Sequence, residues 1–275
     1  QLLGSATPLL VATLIIAGIA LLIWMVRVDT VAPDPIIPSR LFKNRELVID
    51  FLLFVIIWGS FIAFITYIPM WAQGILGLSA LLGGMTQIPG AITNFIGSEL
   101  VPFLQDRWGK YWIVTCGAGA IFIAYLGIMI GGQDSPFWLL LVMGAFEGFG
   151  VGLVFNILQI NVQTDAELRD VPIATSLGYL LRILSQTLMS AVYGVILNHE
   201  LFLGVQQHHG ITLRMLNQLS NAKTAVNLPK SLLPMMRGIL YQGYRNIIWA
   251  AVVLIVVSLV IVVPLGWQHH LKKEN

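Results

Sequence analysis

Long apolar runs separated by short polar links dominate the pattern of this chain. Seven of the runs are long enough for a membrane-spanning helix, because a hydrocarbon core of about 30 Å requires about 20 apolar residues. They cover residues 6–26, 48–72, 78–104, 111–132, 137–160, 173–197 and 246–267. The pattern therefore predicts an all-α membrane protein with seven transmembrane helices.

Composition supports a membrane protein. Of 275 residues, 57% are hydrophobic and 10% are charged, a balance that ordinary soluble domains do not have. No nucleophile–base pair and no glycine loop for phosphate occurs, so we expect neither an enzyme nor a bound cofactor. We also expect no nucleic-acid partner and no metal site. Cys116 is the single cysteine and lies inside a span, which excludes a disulfide within the chain.

Charge predicts the sidedness of the spans, because cytoplasmic loops carry an excess of lysine and arginine. Basic residues fall in alternate links: Arg27, Arg40, Lys43, Arg45, Arg107, Lys110, Arg169, Lys272 and Lys273. The opposite links, 73–77 and 132–136, contain none. We therefore expect a multi-pass protein of the cell membrane with a cytoplasmic tail and residue 1 outside. Tryptophans near span ends are predicted interfacial anchors: Trp24, Trp71, Trp108, Trp112, Trp249 and Trp267.

The links divide the chain into two parts. Residues 1–47 are predicted to form one transmembrane helix and a proline-rich cytoplasmic linker, and residues 48–275 a bundle of six helices. The charges of the first span follow its apolar run, so it does not have the pattern of a signal peptide. Because the chain starts at Gln1, without Met, we interpret it as a fragment of a longer protein.

One external segment, residues 198–245, is much longer than the other links. Apolar residues within it recur at helical spacing: Leu232, Leu233, Met236, Ile239 and Leu240. They predict a short amphipathic helix near the outer interface, which leads into the last span. His208 and His209 are interpreted as solvated loop residues, since no other metal ligand stands near them.

Two charges interrupt apolar runs, and both are expensive at the bilayer centre. Glu147 has three interpretations: a site that loads and releases a proton, a site that binds a cationic substrate, or the partner of Arg182 in an ion pair. Arg182 is interpreted as structural or gating rather than as substrate-contacting. A lone arginine in a cavity would repel lipophilic cations unless a carboxylate neutralised it.

Three more polar residues are candidates for a proton or substrate pathway. Asn94 and Glu99 lie in the inner half of the third span, and Glu99 is about two turns deeper than Asp106. Asp50 stands at the start of the second span. Helix N-termini favour acids, so we interpret it as an interfacial residue while retaining it as a candidate.

Small residues predict close helix packing in the fifth span. Gly144, Gly148 and Gly152 recur every four residues, which allows another helix to approach. A glycine face beside Glu147 would also suit a helix that slides. Pro89-Gly90 is expected to kink the third span.

The link between the third and fourth spans carries a family resemblance. Leu104, Asp106, Arg107, Gly109 and Lys110 resemble the cytoplasmic signature loop of the major facilitator superfamily. The stretch from Pro38 to Arg45 is similar to the entry of the C-terminal bundle in its fourteen-span drug/proton antiporter branch. Gly144 to Gly152, Ala174 to Leu177 with Arg182, and the long external segment also resemble that branch.

The resemblance implies the last seven of fourteen spans, with six helices in an inverted three-plus-three repeat. It further implies a proton-coupled exporter, driven by the proton motive force, of amphipathic or cationic compounds. The substrate path would lie between this bundle and a missing N-terminal bundle, and Asp106 to Lys110 would form a gating loop. Pro102 and Glu99 depart from the usual pattern, which makes Glu99 a candidate special to this protein.

Two other functions compete with transport. A seven-helix receptor would share the span count, but the last span has no Asn-Pro-x-x-Tyr pattern, and Cys116 cannot form an external disulfide. A non-transporting or split half that assembles with another membrane chain is the second alternative. The direction of transport rests on the resemblance alone, and the sequence does not identify the substrate.

Overall fold

The computed structural model describes Trp24, Arg27, residues 38–208 and residues 210–274, with side chains described as far as residue 268. Within this part the chain is helical and contains no strand. Apart from Trp24, the predicted span 6–26 lies outside the described residues.

A 3-10 turn, Ser39–Lys43, precedes the α-helices of the described part. These are α1 (Arg45–Gly74), α2 (Ala80–Met85), α3 (Ile88–Gln105), α4 (Lys110–Gly131), α5 (Phe137–Asp165), α6 (Val171–Gln207), α7 (Leu213–Leu219), α8 (Ala222–Ala225) and α9 (Leu233–Glu274). Asn44 caps α1, since its side-chain oxygen accepts a hydrogen bond from the backbone N–H of Glu46 at 3.0 Å, a donor without a partner inside the helix.

Five helices of the described part, α1, α4, α5, α6 and α9, have the length and hydropathy of membrane spans. The predicted span 78–104 is instead divided into α2 and α3. The division falls at Thr86 and Gln87, and Pro89 occupies the first turn of α3. Because proline has no N–H, it is tolerated at a helix start. The expected kink at Pro89 is therefore a break between two helices.

The last two long helices extend beyond their predicted ends, so the segment that joins them is only 208–232. The predicted short amphipathic helix is the first part of α9. Its apolar residues pack into the bundle, since Met236, Ile239 and Leu240 are buried. Leu240 packs against Gly74 of α1, and Ile239 packs against Gly204 of α6.

The bundle is arranged around α1, which packs against α5, α6 and α9. Helix α5 lies between α3 and α4, and α4 also contacts α9. An aromatic cluster joins α1, α6 and α9: the ring centroid of Tyr67 lies 6.3 Å from that of Tyr193 and 5.8 Å from that of Tyr244. Trp71 stacks in the same cluster and is 1% exposed. Its predicted role as an interfacial anchor is wrong.

Candidate functional site

Lys110 connects three helices at the end of the bundle where the basic links meet. Its ammonium Nζ lies 2.8 Å from the carboxylate of Glu46 at the start of α1 and 2.6 Å from that of Asp165 at the end of α5. The hydroxyl of Tyr111 donates to Glu46 as well. Asn44 donates a 2.8 Å hydrogen bond to the carbonyl of Asp165. The network therefore fixes the relative positions of α1, α4 and α5.

Asp50 lies one turn above this network and is fully buried. Asn161 of α5 donates to its Oδ1 at 3.5 Å, and Oδ2 has no hydrogen-bond partner among the described residues. Lys110 is a positive charge that acts on this carboxyl group. Asp50, predicted to be an interfacial residue, is thus covered by α5.

A second ion pair lies at the same end of the bundle. Arg40 of the 3-10 turn reaches Asp170 in a bidentate arrangement, at 2.5 and 2.6 Å. The hydrogen bonds from Arg40 hold the pKa of Asp170 below its usual value, and those to Asp170 raise the pKa of Arg40. This pair ties the segment before α1 to the start of α6.

The predicted gating residues differ in their contacts. Asp106 ends α3 and Gly109 precedes α4. Asp106 and Arg107 are exposed, and neither forms an ion pair within the described residues. Of this set, only Lys110 joins the carboxylate network.

Glu147 lies in the centre of the bundle and is 3% exposed. Its Oε1 is buried and has no hydrogen-bond partner in the described part. Tyr125 of α4 interacts electrostatically with it. That phenol donates a 2.7 Å hydrogen bond to the carbonyl of Ser60 in α1. Glu147 is thus a buried carboxyl group next to a small polar cluster.

Arg182 does not pair with Glu147; no ion pair joins them in the structure. Its guanidinium instead lies over three rings, 4.6 Å from the centroid of Tyr179, 5.1 Å from that of Phe155 and 5.6 Å from that of Trp58. Cation–π contacts of this kind partly offset the cost of the charge. The ion-pair interpretation of Glu147 is therefore wrong.

The glycine face of α5 packs directly against the backbone of α3. A Cβ on Gly148 would lie 2.0 Å from the carbonyl oxygen of Gly90, and one on Gly152 would lie 2.1 Å from that of Asn94. A Cβ on Gly144 would lie 3.0 Å from the oxygen of Thr86. We call this contact surface between the glycines of α5 and the backbone from Thr86 to Asn94 the seam. Asn94 thus contributes its backbone to the seam.

Interhelical hydrogen bonds accompany the seam. The hydroxyl of Thr93 donates to the carbonyl of Ala145 at 2.7 Å, and that of Ser98 donates to the carbonyl of Gly152 at 3.2 Å. In the other direction, the side-chain amide of Asn156 donates a 2.8 Å hydrogen bond to the carbonyl of Ser98.

Glu99 lies on the opposite, exposed side of α3 and has no ion pair within the described residues. Its neighbours on that side are apolar and exposed: Ile92 at 58%, Phe95 at 67%, Ile96 at 47% and Phe103 at 73%. Glu99 is therefore separated from both Glu147 and the Lys110 network.

Sequence reasoning did not single out Glu46, Asp165, Asn161 or Tyr125. The importance of all four comes from contacts between helices that are far apart in the sequence. The signal that the sequence offered was the acidic residues at the ends of apolar runs. Among the described residues, no group of three or more histidine, cysteine, aspartate or glutamate side chains could hold a metal ion. The arrangement provides buried carboxyl groups, an arginine that lies over aromatic rings, and a network of ion pairs at one end of the bundle.

Comparison with known proteins gives a consistent family. A family model described as Major Facilitator Superfamily matches residues 3–195. Multidrug resistance protein 3 of Bacillus subtilis is 30% identical over 169 residues, which are 62% of this chain and 33% of that protein. A second protein of Bacillus subtilis, Multidrug transporter protein MdtP, is 28% identical over 175 residues, which are 62% of this chain and 32% of MdtP.

A fungal protein is similar over a longer stretch. MFS transporter L2 of a Phoma species is 23% identical over 196 residues, 68% of this chain and 32% of that protein. The chain thus spans about a third of the length of these relatives.

Proposed function

Because this chain belongs to the major facilitator superfamily, we propose that it is part of a proton-coupled secondary transporter that exports amphipathic compounds. Two similar proteins carry the word multidrug in their names, which supports this substrate class. Carboxyl groups within apolar surroundings would favour compounds that are also cationic.

The observation that carries proton coupling is the setting of Glu147. An ionised carboxylate is costly to bury without a partner, and a bound proton removes that cost. Glu147 lies where α1, α4 and α5 meet, so the gain or loss of a proton changes the electrostatics at the centre of the bundle. Each proton that crosses the membrane supplies about 2.3 kcal/mol per 100 mV of potential.

Helix α3 supports the proposal that this bundle works with a second one. Its apolar exposed side is interrupted by Glu99, and a charge facing lipid is expensive. A second bundle across that side would enclose Glu99 in a water-filled path between the two. The greater length of the relatives is consistent with such a partner.

The Lys110 network supports a role for this end as a gate. Ion pairs between helix ends can break and re-form when bundles rock around a central site. By the excess of basic residues, this end and the tail face the cytoplasm, and the region around residue 1 faces outward.

Efflux measurements test the proposal. The complete coding sequence that contains this chain is expressed in cells without other drug pumps, and the export of ethidium is followed by fluorescence. We expect efflux that a protonophore stops. Glu147→Gln removes the proton site at nearly constant shape and should abolish this efflux, and Glu99→Gln should do the same if Glu99 lines the path.

Glu167→Gln is the matched control, because Glu167 is an exposed carboxylate that forms an ion pair with Arg169. It should retain efflux. Immunoblots of the membrane fraction confirm equal amounts of each variant. Wild-type efflux in Glu147→Gln would overturn the role of Glu147, and efflux that survives the protonophore would overturn proton coupling.

A further inference from the structure

A cavity of about 410 Å³ lies beside the start of α4, at the end of the bundle that carries the basic links. Its lining consists of Arg107, Trp108, Gly109, Trp112, Thr115 and Cys116. The volume falls in the range of sites that hold small molecules or parts of larger ones. The cavity lies outside the Glu147 cluster and the seam between α3 and α5.

The charge in this cavity is not neutralised within the described residues. Arg107 forms no ion pair there, whereas Lys110, three residues later, is bound by two carboxylates. The neighbouring Asp106 does not line the cavity. A guanidinium with free N–H donors is suited to bind phosphate.

The rest of the cavity continues into an apolar surface. Cys116, Ile123 and Ile130 are exposed at intervals of seven residues, which places them on one side of α4. Ile123 is 50% exposed and Ile130 is 84% exposed. The stripe therefore runs from the cavity along the length of the span and suits a hydrocarbon chain.

Tryptophans mark the level of the membrane interface at the same place. The rings of Trp112 and Trp267 of α9 lie 6.2 Å apart. Trp108 is 47% exposed and Trp267 is 59% exposed. Such amphipathic rings are enriched where lipid head groups meet acyl chains.

We propose that this cavity is a binding site for an anionic phospholipid. Arg107 holds the phosphate of the head group, the tryptophans contact the glycerol region, and one acyl chain lies along the stripe from Cys116 to Ile130. Basic residues beside a membrane-spanning helix attract anionic lipid head groups in this way. The proposal requires only that the chain spans a membrane and does not depend on transport.

Alkylation of Cys116 tests the proposal, because this cysteine lines the cavity and is the single one in the chain. The protein is placed in nanodiscs of phosphatidylcholine, with or without phosphatidylglycerol, and the rate of reaction with a neutral maleimide is measured. We expect phosphatidylglycerol to slow the reaction several-fold. Arg107→Gln should remove this effect of the lipid.

Arg169→Gln is the matched control, since Arg169 is an exposed arginine at the same end and is paired with Glu167. It should keep the full effect of phosphatidylglycerol. Equal slowing in all three proteins would show a general effect of membrane charge and overturn the site. If Cys116 reacts as slowly in phosphatidylcholine alone as it does with phosphatidylglycerol present, the cavity is a groove for acyl chains only. This result would also overturn the proposed site.

Native mass spectrometry gives a second measurement that does not depend on Cys116. We expect the wild type to retain phosphatidylglycerol in preference to phosphatidylcholine from an equimolar mixture, and Arg107→Gln to lose the preference. Thr115→Phe keeps Arg107 but fills the cavity, so it should lower the amount of bound phosphatidylglycerol. Unchanged lipid binding in Thr115→Phe would contradict the proposal.

Discussion

Gly148→Ala is the sharpest test of the seam between α3 and α5. The added Cβ would lie 2.0 Å from the carbonyl oxygen of Gly90, whereas ordinary contact begins at 3.4 Å. The obstacle is backbone, so no rotamer change can relieve the clash. The two helices must therefore separate by about 1.4 Å at this point.

The expected cost follows from three contributions. Overpacking of a tight interface costs about 1–3 kcal/mol. The separation also weakens three interhelical hydrogen bonds, the donors of which are Thr93, Ser98 and Asn156, and each is worth about 0.6 kcal/mol in a membrane protein. Alanine regains about 1 kcal/mol through its higher helix propensity. We expect a net loss of about 2–4 kcal/mol.

Unfolding of the purified chain by SDS in mixed micelles, followed by circular dichroism, measures this loss. Gly119→Ala is the control, because Gly119 lies inside α4 and a Cβ there meets nothing within 4 Å. It should leave the free energy of unfolding unchanged or raise it slightly. Wild-type stability of Gly148→Ala, or equal destabilisation of Gly119→Ala, would refute a steric clash at Gly148.

Three further predictions concern the end that carries the basic links. Lys110→Met leaves two partly buried carboxylates without their cation and should lower the free energy of unfolding by about 1–3 kcal/mol, measured by the same SDS titration. The bonds from Arg40 lower the pKa of Asp170, so their contribution is present at neutral pH and is lost as the pH falls through that lowered value. Thermal unfolding should therefore separate the wild type from Asp170→Asn at neutral pH and not in strong acid; a constant difference would contradict this. Asp106→Asn should impair efflux while its amount in the membrane stays normal, and normal turnover would reduce the link to an anchor.

Helix positions were predictable wherever an apolar run ends at clear turn signals. The predicted spans 111–132 and 137–160 correspond to α4 and α5, because Gly109 and Gly132 to Pro136 bound the runs. The break between α2 and α3 was missed, since Pro89 within a long apolar run indicates a kink and a helix start equally well. The full length of α9 was missed because Pro234 is compatible with the first turn of a helix.

The site was less predictable, because its contacts join residues that are far apart in the sequence. Asp50 contacts Asn161, which lies 111 residues later in the sequence. The residue pattern around Asp50 does not indicate that another helix covers it. An ion pair with Arg182 was one of three interpretations of Glu147, but the guanidinium of Arg182 lies over rings of α1 and α5 instead. Only the glycine spacing in α5 revealed a contact surface, since four-residue repeats of small residues have one common structural use.

The length of α9 gives it a mechanical property. A helix of 42 residues is about 63 Å long, roughly twice the thickness of the hydrocarbon core. It is therefore longer than one crossing of the core requires, and a tilt of the whole helix would displace both of its ends. A tilt of about 10° around its midpoint would move each end by about 5 Å in opposite directions. A tilt that accompanies a change in the segment 208–232 would thus also displace the opposite end of α9, and Pro264 marks the point at which this helix can bend.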